Sequence, residues 1–199
     1  MRADARRNLE RILLAARELV IERGPAVPLD DIARKAGVGS GTLYRRFPDR
    51  ATLLHAVAAD ALTRTVHAAR TATDQESDPF EALARYMREA LDQRVSAVLP
   101  ALLGTVDLEN DPDLAPLREE AVRLLQDLID RAHAAGTLPP DVTFDDIGMM
   151  LVRFARPLPG PMPDETKHEL ARRHLELFVR GLRMPVDGDT TDGLYKVDQ

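Results

Sequence analysis

The sequence predicts an all-α chain of about nine helices, and three observations carry that prediction. Apolar residues recur at three- and four-residue spacing along almost the whole chain, as on one face of an amphipathic helix. No stretch sustains the period-two alternation of β-branched residues that a strand needs. Glycines and prolines fall between the periodic segments, where helices stop and start.

Taken in order, Leu9, Ile12, Leu13, Ala16, Leu19 and Val20 form the stripe of a first helix that Gly24-Pro25 ends. Pro28 opens a short helix over 29–36, with Asp30 and Asp31 in its first turn, where acidic groups favour the helix dipole. Gly37-Val38-Gly39 breaks it, 40–47 forms two turns, and Pro48-Asp49 stops them. A long helix runs from about Arg50 to Ala72, and Asp78-Pro79 starts another that reaches about Gln93. A short apolar segment covers 95–106, and Asp111-Pro112 opens a long helix to about Ala135, closed by Gly136. Thr143 and Asp146 read as a capping pair ahead of a helix over 144–155. Four prolines between Pro157 and Pro163 make a loop, and a last helix covers about 164–183. The organisation expected is a head, 1–50, a helical body, 51–184, and a polar, flexible tail, 185–199.

The head contains a helix-turn-helix: two short helices joined by a tight glycine turn and packed on a longer first helix. Ile32 and Ala33 face the first helix, Val38 plugs the turn, and Leu43 and Phe47 point inward one helical turn apart. At about 100° per residue, the opposite face of the second short helix carries Gly41 and Arg45, flanked by Thr42 and Tyr44. Arg46 lies nearer the core edge, with a stem long enough to reach outward. A guanidinium, a hydroxyl, a phenol and a position without a side chain are what a helix needs to enter a DNA major groove.

Charge is distributed to match. Residues 1–50 hold eleven Lys+Arg and seven Asp+Glu, a balance of +4, whereas the remainder is −10. A basic head on an acidic body meets a polyanion with the head alone. Arg2, Arg6 and Arg7 could form an arm toward DNA or simply a basic terminus; the residues leave both open.

At Leu29–Leu54, LDDIARKAGVGSGTLYRRFPDRATLL, preceded by an amphipathic helix ending ERG, the chain resembles the TetR family of bacterial transcriptional regulators. The strong match covers roughly residues 8–54; the phrase AAGTLPPDVTFDDIGMML and the ending RRHLELFVRGLR resemble actinobacterial members more weakly. The resemblance implies DNA contacts from Ser40, Gly41, Thr42, Tyr44, Arg45 and Arg46, and a phosphate contact from Arg50, where the family often has lysine. The chain departs from the pattern at Pro28, where the family often has a capping Ser or Thr, and at Gly39-Ser40, where it often has serine then lysine.

The resemblance also implies a homodimer on a double-stranded operator and a small-molecule effector held between body helices. Candidate lining residues on apolar faces are Val66, Leu83, Met87, Leu102, Leu103, Val106, Leu125, Leu128, Met150 and Phe154, with Arg88 or Arg153 as a polar anchor. Ala171, Leu175, Phe178, Gly181 and Leu182 form the stripe expected at the dimer interface, with His174 and Leu177 beside it.

Other chemistry finds little footing. With no cysteine, disulfides, thiolate metal sites and cysteine nucleophiles are excluded, and a reducing cytoplasm is the expected compartment. The five histidines form no HExxH and no i,i+4 pair, and no GxSxG, Walker or GxGxxG pattern occurs, so no catalytic site, metal or cofactor is expected. Asp107, Glu109, Asp111 and Asp113 lack the glycine and final glutamate of a calcium loop and read as a solvated loop. No apolar run approaches the ~20 residues of a membrane span. Two alternatives stay open: a regulator without a ligand, and a small-molecule-binding protein or enzyme that keeps a vestigial helix-turn-helix.

Overall fold

The computed structural model describes residues 2–156, 158 and 160–183. Among them lie nine helices and no strand: α1 (Arg2–Arg23), α2 (Leu29–Ala36), α3 (Ser40–Arg46), α4 (Arg50–Gln75), α5 (Pro79–Asp92), α6 (Val95–Leu102), α7 (Leu114–Ala134), α8 (Phe144–Ala155) and α9 (Asp164–Leu182). The expected tail, 185–199, lies outside the described residues, as do Pro157 and Pro159 of the expected loop. No helix of the described residues is long and apolar enough to cross a membrane.

Local chemistry fixes the turns. Gly37 ends α2 at φ 62°, in the left-handed region that glycine enters freely, and its N–H and that of Val38 close the helix onto the carbonyls of Arg34 and Ala33. Arg11, from α1, donates to the carbonyls of Ala36 (2.8 Å from Nε) and Gly37, which places a cation at the negative end of α2. Asp49 caps α4 by accepting from the Thr52 N–H at 2.7 Å, and Asp78 caps α5 by accepting from Phe80 and Glu81 at 2.9 and 3.0 Å. Thr143 and Asp146 complete a reciprocal capping box at α8.

Two hydrophobic clusters hold the chain together. The first gathers Ile12 and Val20 of α1, Ile32 of α2, Leu43 of α3 and Leu53 to Val66 of α4, and continues into Leu102 of α6 and Leu114 of α7. The core therefore runs without a break across residue 50, where the head was expected to end. The second cluster joins the distal half of α4, through Ala68, Ala69 and Ala72, to α5, α7, α8 and α9. Those alanines, all nearly inaccessible, let neighbouring helices come close to α4, which is the spine of both clusters.

Four boundaries differ from the sequence reading. α1 begins at Arg2, so Arg6 and Arg7 belong to its first turns and pair with Glu10 and Asp4 rather than forming an arm. α4 runs on to Gln75 because nothing in Ala72–Gln75 breaks a helix; the stop comes at the Ser77-Asp78-Pro79 turn. α6 begins at Val95, after its non-glycine cap Arg94 has turned the chain at φ 52°, and stops at Leu102, not at Val106. α7 starts at Leu114, because the Asp111 side chain accepts from the Asp113 and Leu114 N–H groups in a turn that precedes the helix.

Candidate nucleic-acid interface

The inward side of α3 is closed by Leu43 (0 % exposed) and by Phe47 (4 %) just beyond the helix, and this packing dictates what faces out. Gly41, Tyr44, Arg45 and Arg46 are exposed and Thr42 is half-buried. A side chain added at Gly41 would meet nothing within 4 Å, so the backbone there is open to close approach by another molecule. Arg45 Nη2 lies 3.4 Å from Thr42 Oγ1, and the Arg46 guanidinium stands 6.0 Å over the Phe47 ring. The ring holds Arg46 at the rim of the core, but its charge is in solvent.

Arg50, on the first turn of α4, is exposed and donates through Nη1 to the Pro25 carbonyl at 2.9 Å. Ser40 is turned toward α2, where its hydroxyl donates to Asp30 Oδ1 at 2.7 Å. That bond ties the two short helices together and occupies the Ser40 proton.

The cations of this surface are free in a way that others of the head are not. Arg23 and Arg34 pair with Asp31, and Lys35 with Glu18. Arg45, Arg46 and Arg50 have no acidic partner among the described residues. Three guanidiniums without an acidic partner, two of them on α3 beside an exposed phenol and an open backbone position, give donors for phosphate oxygens and for base edges.

The residues assigned to an effector pocket do not surround one space. Val66 and Leu102 belong to the first cluster, with Val106 packed on it, whereas Leu83, Met87, Leu125 and Leu128 belong to the second, with Phe154 packed on it. Met150 is half-buried. Leu103 is 69 % exposed, a correction: it follows the end of α6 and has no helix face to place it inward. Phe154 borders a cavity of about 60 Å³ with Leu91, Arg94 and His174. Arg88, considered as a polar anchor, is engaged by Glu176 of α9 at 2.7 Å and faces Glu81 at 3.6 Å. Arg153 is exposed and borders the same small cavity.

Residues of the expected dimer stripe also have partners within the protomer. Leu175 is 1 % exposed within the protomer, and Ala171, Phe178 and Leu182 pack against the same core. The Phe178 ring meets Phe154 of α8 edge to face at 5.8 Å. Leu175 is thus taken up by the chain's own interior, while Ala171, Phe178 and Leu182 stay half-buried and Gly181 exposed. The face left open on α9 is the flank with His174, Leu177 (51 % exposed) and Gly181, and on the neighbouring helix α8 Met149 is also exposed (57 %).

Sequence reasoning missed Arg17. It is 5 % exposed, with Nη1 2.9 Å from Asp60 Oδ2, and Asp60 also holds Arg64 at 3.0 Å. Burial lowers the Arg17 pKa, Asp60 acts against that, and Arg64 adds to it. This buried pair joins α1 to α4, head to body. The one signal in sequence was an arginine adjoining the α1 apolar stripe at Ala16 and Leu19. His55, Asp111 and Asp113 could together offer three ligand atoms to a metal ion, all within 4.8 Å of one another. The Asp111 oxygen nearest His55 already accepts from two backbone N–H groups.

Comparison with known proteins bears on the family and the fold. Residues 12–57 match the family model for bacterial regulatory proteins of the tetR family. Residues 78–184 match the model for the SbtR-like transcriptional regulator C-terminal domain. The chain is 30% identical over 135 residues to the HTH-type transcriptional repressor LfrR of Mycolicibacterium smegmatis, across 65% of this chain and 68% of that one. A TetR regulatory protein from Mycobacterium vanbaalenii superposes with TM-score 0.61 at 34% identity, across 92% of this chain and 99% of that one. The TetR regulator SCO0520 from Streptomyces coelicolor does so with TM-score 0.59 at 32% identity, across 89% and 99%.

Proposed function

The chain belongs to the tetR family of helix-turn-helix DNA-binding transcriptional regulators, and on that premise we propose that it is a homodimeric repressor, released from a palindromic operator by a small-molecule effector. The cytoplasm, where the DNA is, is its compartment. The observation that carries the reading is the outward face of α3: Tyr44, Arg45 and Arg46 exposed, with no acidic partner for the arginines, around an open Gly41. Tyr44, Thr42 and Arg50 supply phosphate contacts that fix the register, and Arg45 reads a base edge. Two such helices, related by a two-fold axis, meet successive major grooves ~34 Å apart or somewhat more.

The open flank of α9, His174, Leu177 and Gly181, with Met149 of α8, supports the two-fold contact. Gly181 has free space around its Cβ position, which suits close approach of a partner helix. Effector release is a population shift: a ligand that prefers the geometry in which the heads no longer fit the grooves lowers operator affinity.

The test is selection of bound sequences from random duplex DNA by the full chain. The expected product is a palindrome whose binding weakens steeply with salt, because phosphate contacts release counterions. Recovery of no enriched sequence, or of sequences without two-fold symmetry, overturns the reading.

A further inference from the structure

Arg17 Nε and Gln93 Oε1 are buried without a hydrogen-bond partner among the described residues, whereas Arg17 Nη1, which makes no well-aligned hydrogen bond, is ion-paired with Asp60 Oδ2 at 2.9 Å. Both residues line one cleft of about 660 Å³, open to solvent, between α1, α4, the α5–α6 corner and the start of α9. Buried polar groups are normally satisfied by protein or water, so a donor and an acceptor left over on one concave surface point to a missing partner. The volume falls within the range of small-molecule sites.

The cleft also carries more positive charge than its own acids offset. Arg17 and Arg64 share a single carboxylate, Asp60, at 2.9 and 3.0 Å. Arg94, on the opposite wall, has no side-chain partner among the described residues. The acids that border the cleft are taken: Asp92 by Arg172 at 2.6 Å, Glu18 by Lys35 at 3.0 Å, and Glu10 by Arg6 at 3.7 Å. Between the cations lie Leu14, 48 % exposed, and Ile21, an apolar patch. Arg94 sits at φ 52°, the one non-glycine residue in the left-handed region among those described. Strain of this kind persists where the surroundings over-determine it, and it concentrates at ligand clamps.

We propose that this cleft binds the effector, and that the effector is a small organic acid with an apolar body, a carboxylate and a hydrogen-bond donor. The inference rests on the reading of the chain as an effector-responsive regulator. The carboxylate meets Arg94 and the Arg17–Arg64 pair, because guanidiniums match a planar two-oxygen acceptor. A hydroxyl or amide N–H on the ligand donates to Gln93 Oε1, and the apolar body covers Leu14 and Ile21. α1 belongs to the head and the α5–α6 corner to the body, so a ligand held by both sets the angle between them.

The experiment titrates the full chain with mandelate, salicylate and 3-hydroxyoctanoate, each beside its methyl ester and its counterpart lacking the hydroxyl, with phenyl phosphate as a second anion. Operator retention is read in parallel. At least one hydroxy acid is expected to bind and to loosen the operator complex, its ester binding roughly tenfold more weakly. Arg94→Ala weakens that acid roughly tenfold, and Arg94→Lys recovers part of the loss. Gln93→Leu abolishes the preference for the hydroxy acid over its counterpart. Both positions are half-buried, so these variants test the cleft without removing the Arg17–Asp60 pair. The proposal is overturned if no acid binds, if esters or phenyl phosphate bind as well, if Arg94→Ala leaves affinity unchanged, or if bound acid leaves operator affinity untouched. In each of those cases a retained operator keeps the regulator reading, whereas a chain that selects no operator loses that reading by itself.

Discussion

At the scale of single residues, the difference between base and phosphate contacts is measurable. Arg45 is exposed on the face of α3 opposite Leu43, with only the Thr42 hydroxyl 3.4 Å away to steady it. Arg45→Ala should cost about 1–3 kcal/mol on the operator and relax specificity at one position. Equal loss on random duplex would assign it to phosphate instead. Arg50→Ala should weaken operator and random DNA alike and reduce the salt slope by about one, as read from affinities across a salt series. These positions were legible because a helix has a fixed angular step: once Leu43 and Phe47 are inside, Tyr44 and Arg45 are outside. Arg46, expected nearer the core edge, is exposed because its stem runs past the Phe47 ring. Arg17 and Arg11 were not legible, since their partners stand 43 and 25 residues away in sequence and only tertiary packing brings them together.

Among elements, helix starts were legible wherever a side chain could close the first turn. Asp49, Asp78 and Thr143 each accept backbone N–H bonds at the position where sequence reading put a helix start. Asp78→Ala should lower stability by about 1 kcal/mol, read as a shifted urea midpoint with an unchanged slope. Acid acts on the same devices. Asp49 is held below the usual carboxylate range by the Thr52 backbone N–H and then its hydroxyl, and Asp146 by the Thr143 hydroxyl and then its N–H. A carboxyl whose folded pKa is depressed contributes its stability fully above the ordinary carboxylate range, and that contribution disappears as pH falls through the folded value. Hydrogen exchange at the first turns of α4 and α8 should therefore accelerate as pH drops below about 4, relative to unstructured controls. Helix ends without such caps were harder to read. α4 overran Ala72 because propensity changes smoothly there, and α6 stopped early because its end depends on a turn at Leu103 and Gly104 that apolar periodicity does not encode.

For the whole molecule, periodicity indicates which side chains are apolar but not which neighbour they meet. The α9 residues Leu175, Phe178 and Leu182 form a convincing interface stripe in sequence, yet within the protomer Leu175 is buried and the other two pack, half-buried, against the same cluster. The same limit separated the candidate effector residues into two clusters. Two substitutions one residue apart turn this into a test. Leu177 is 51 % exposed, so Leu177→Glu leaves the protomer core intact; Phe178→Glu puts a carboxylate against Phe154 in the second cluster. Phe178→Glu should cost about 3 kcal/mol or more and lower the melting temperature sharply. Leu177→Glu, combined with Met149→Glu, should keep its helical circular dichroism and melting cooperativity but sediment as a monomer. Its heads retain Tyr44, Arg45 and Arg50, so binding to a one-half-site duplex should match the parent. On a two-half-site duplex the affinity should fall by about 100-fold or more, because the second contact is no longer intramolecular. A double variant that remains dimeric with full operator affinity would place the two-fold contact away from the open flank of α9, and the geometry that sets the half-site spacing would have to be rebuilt from another surface.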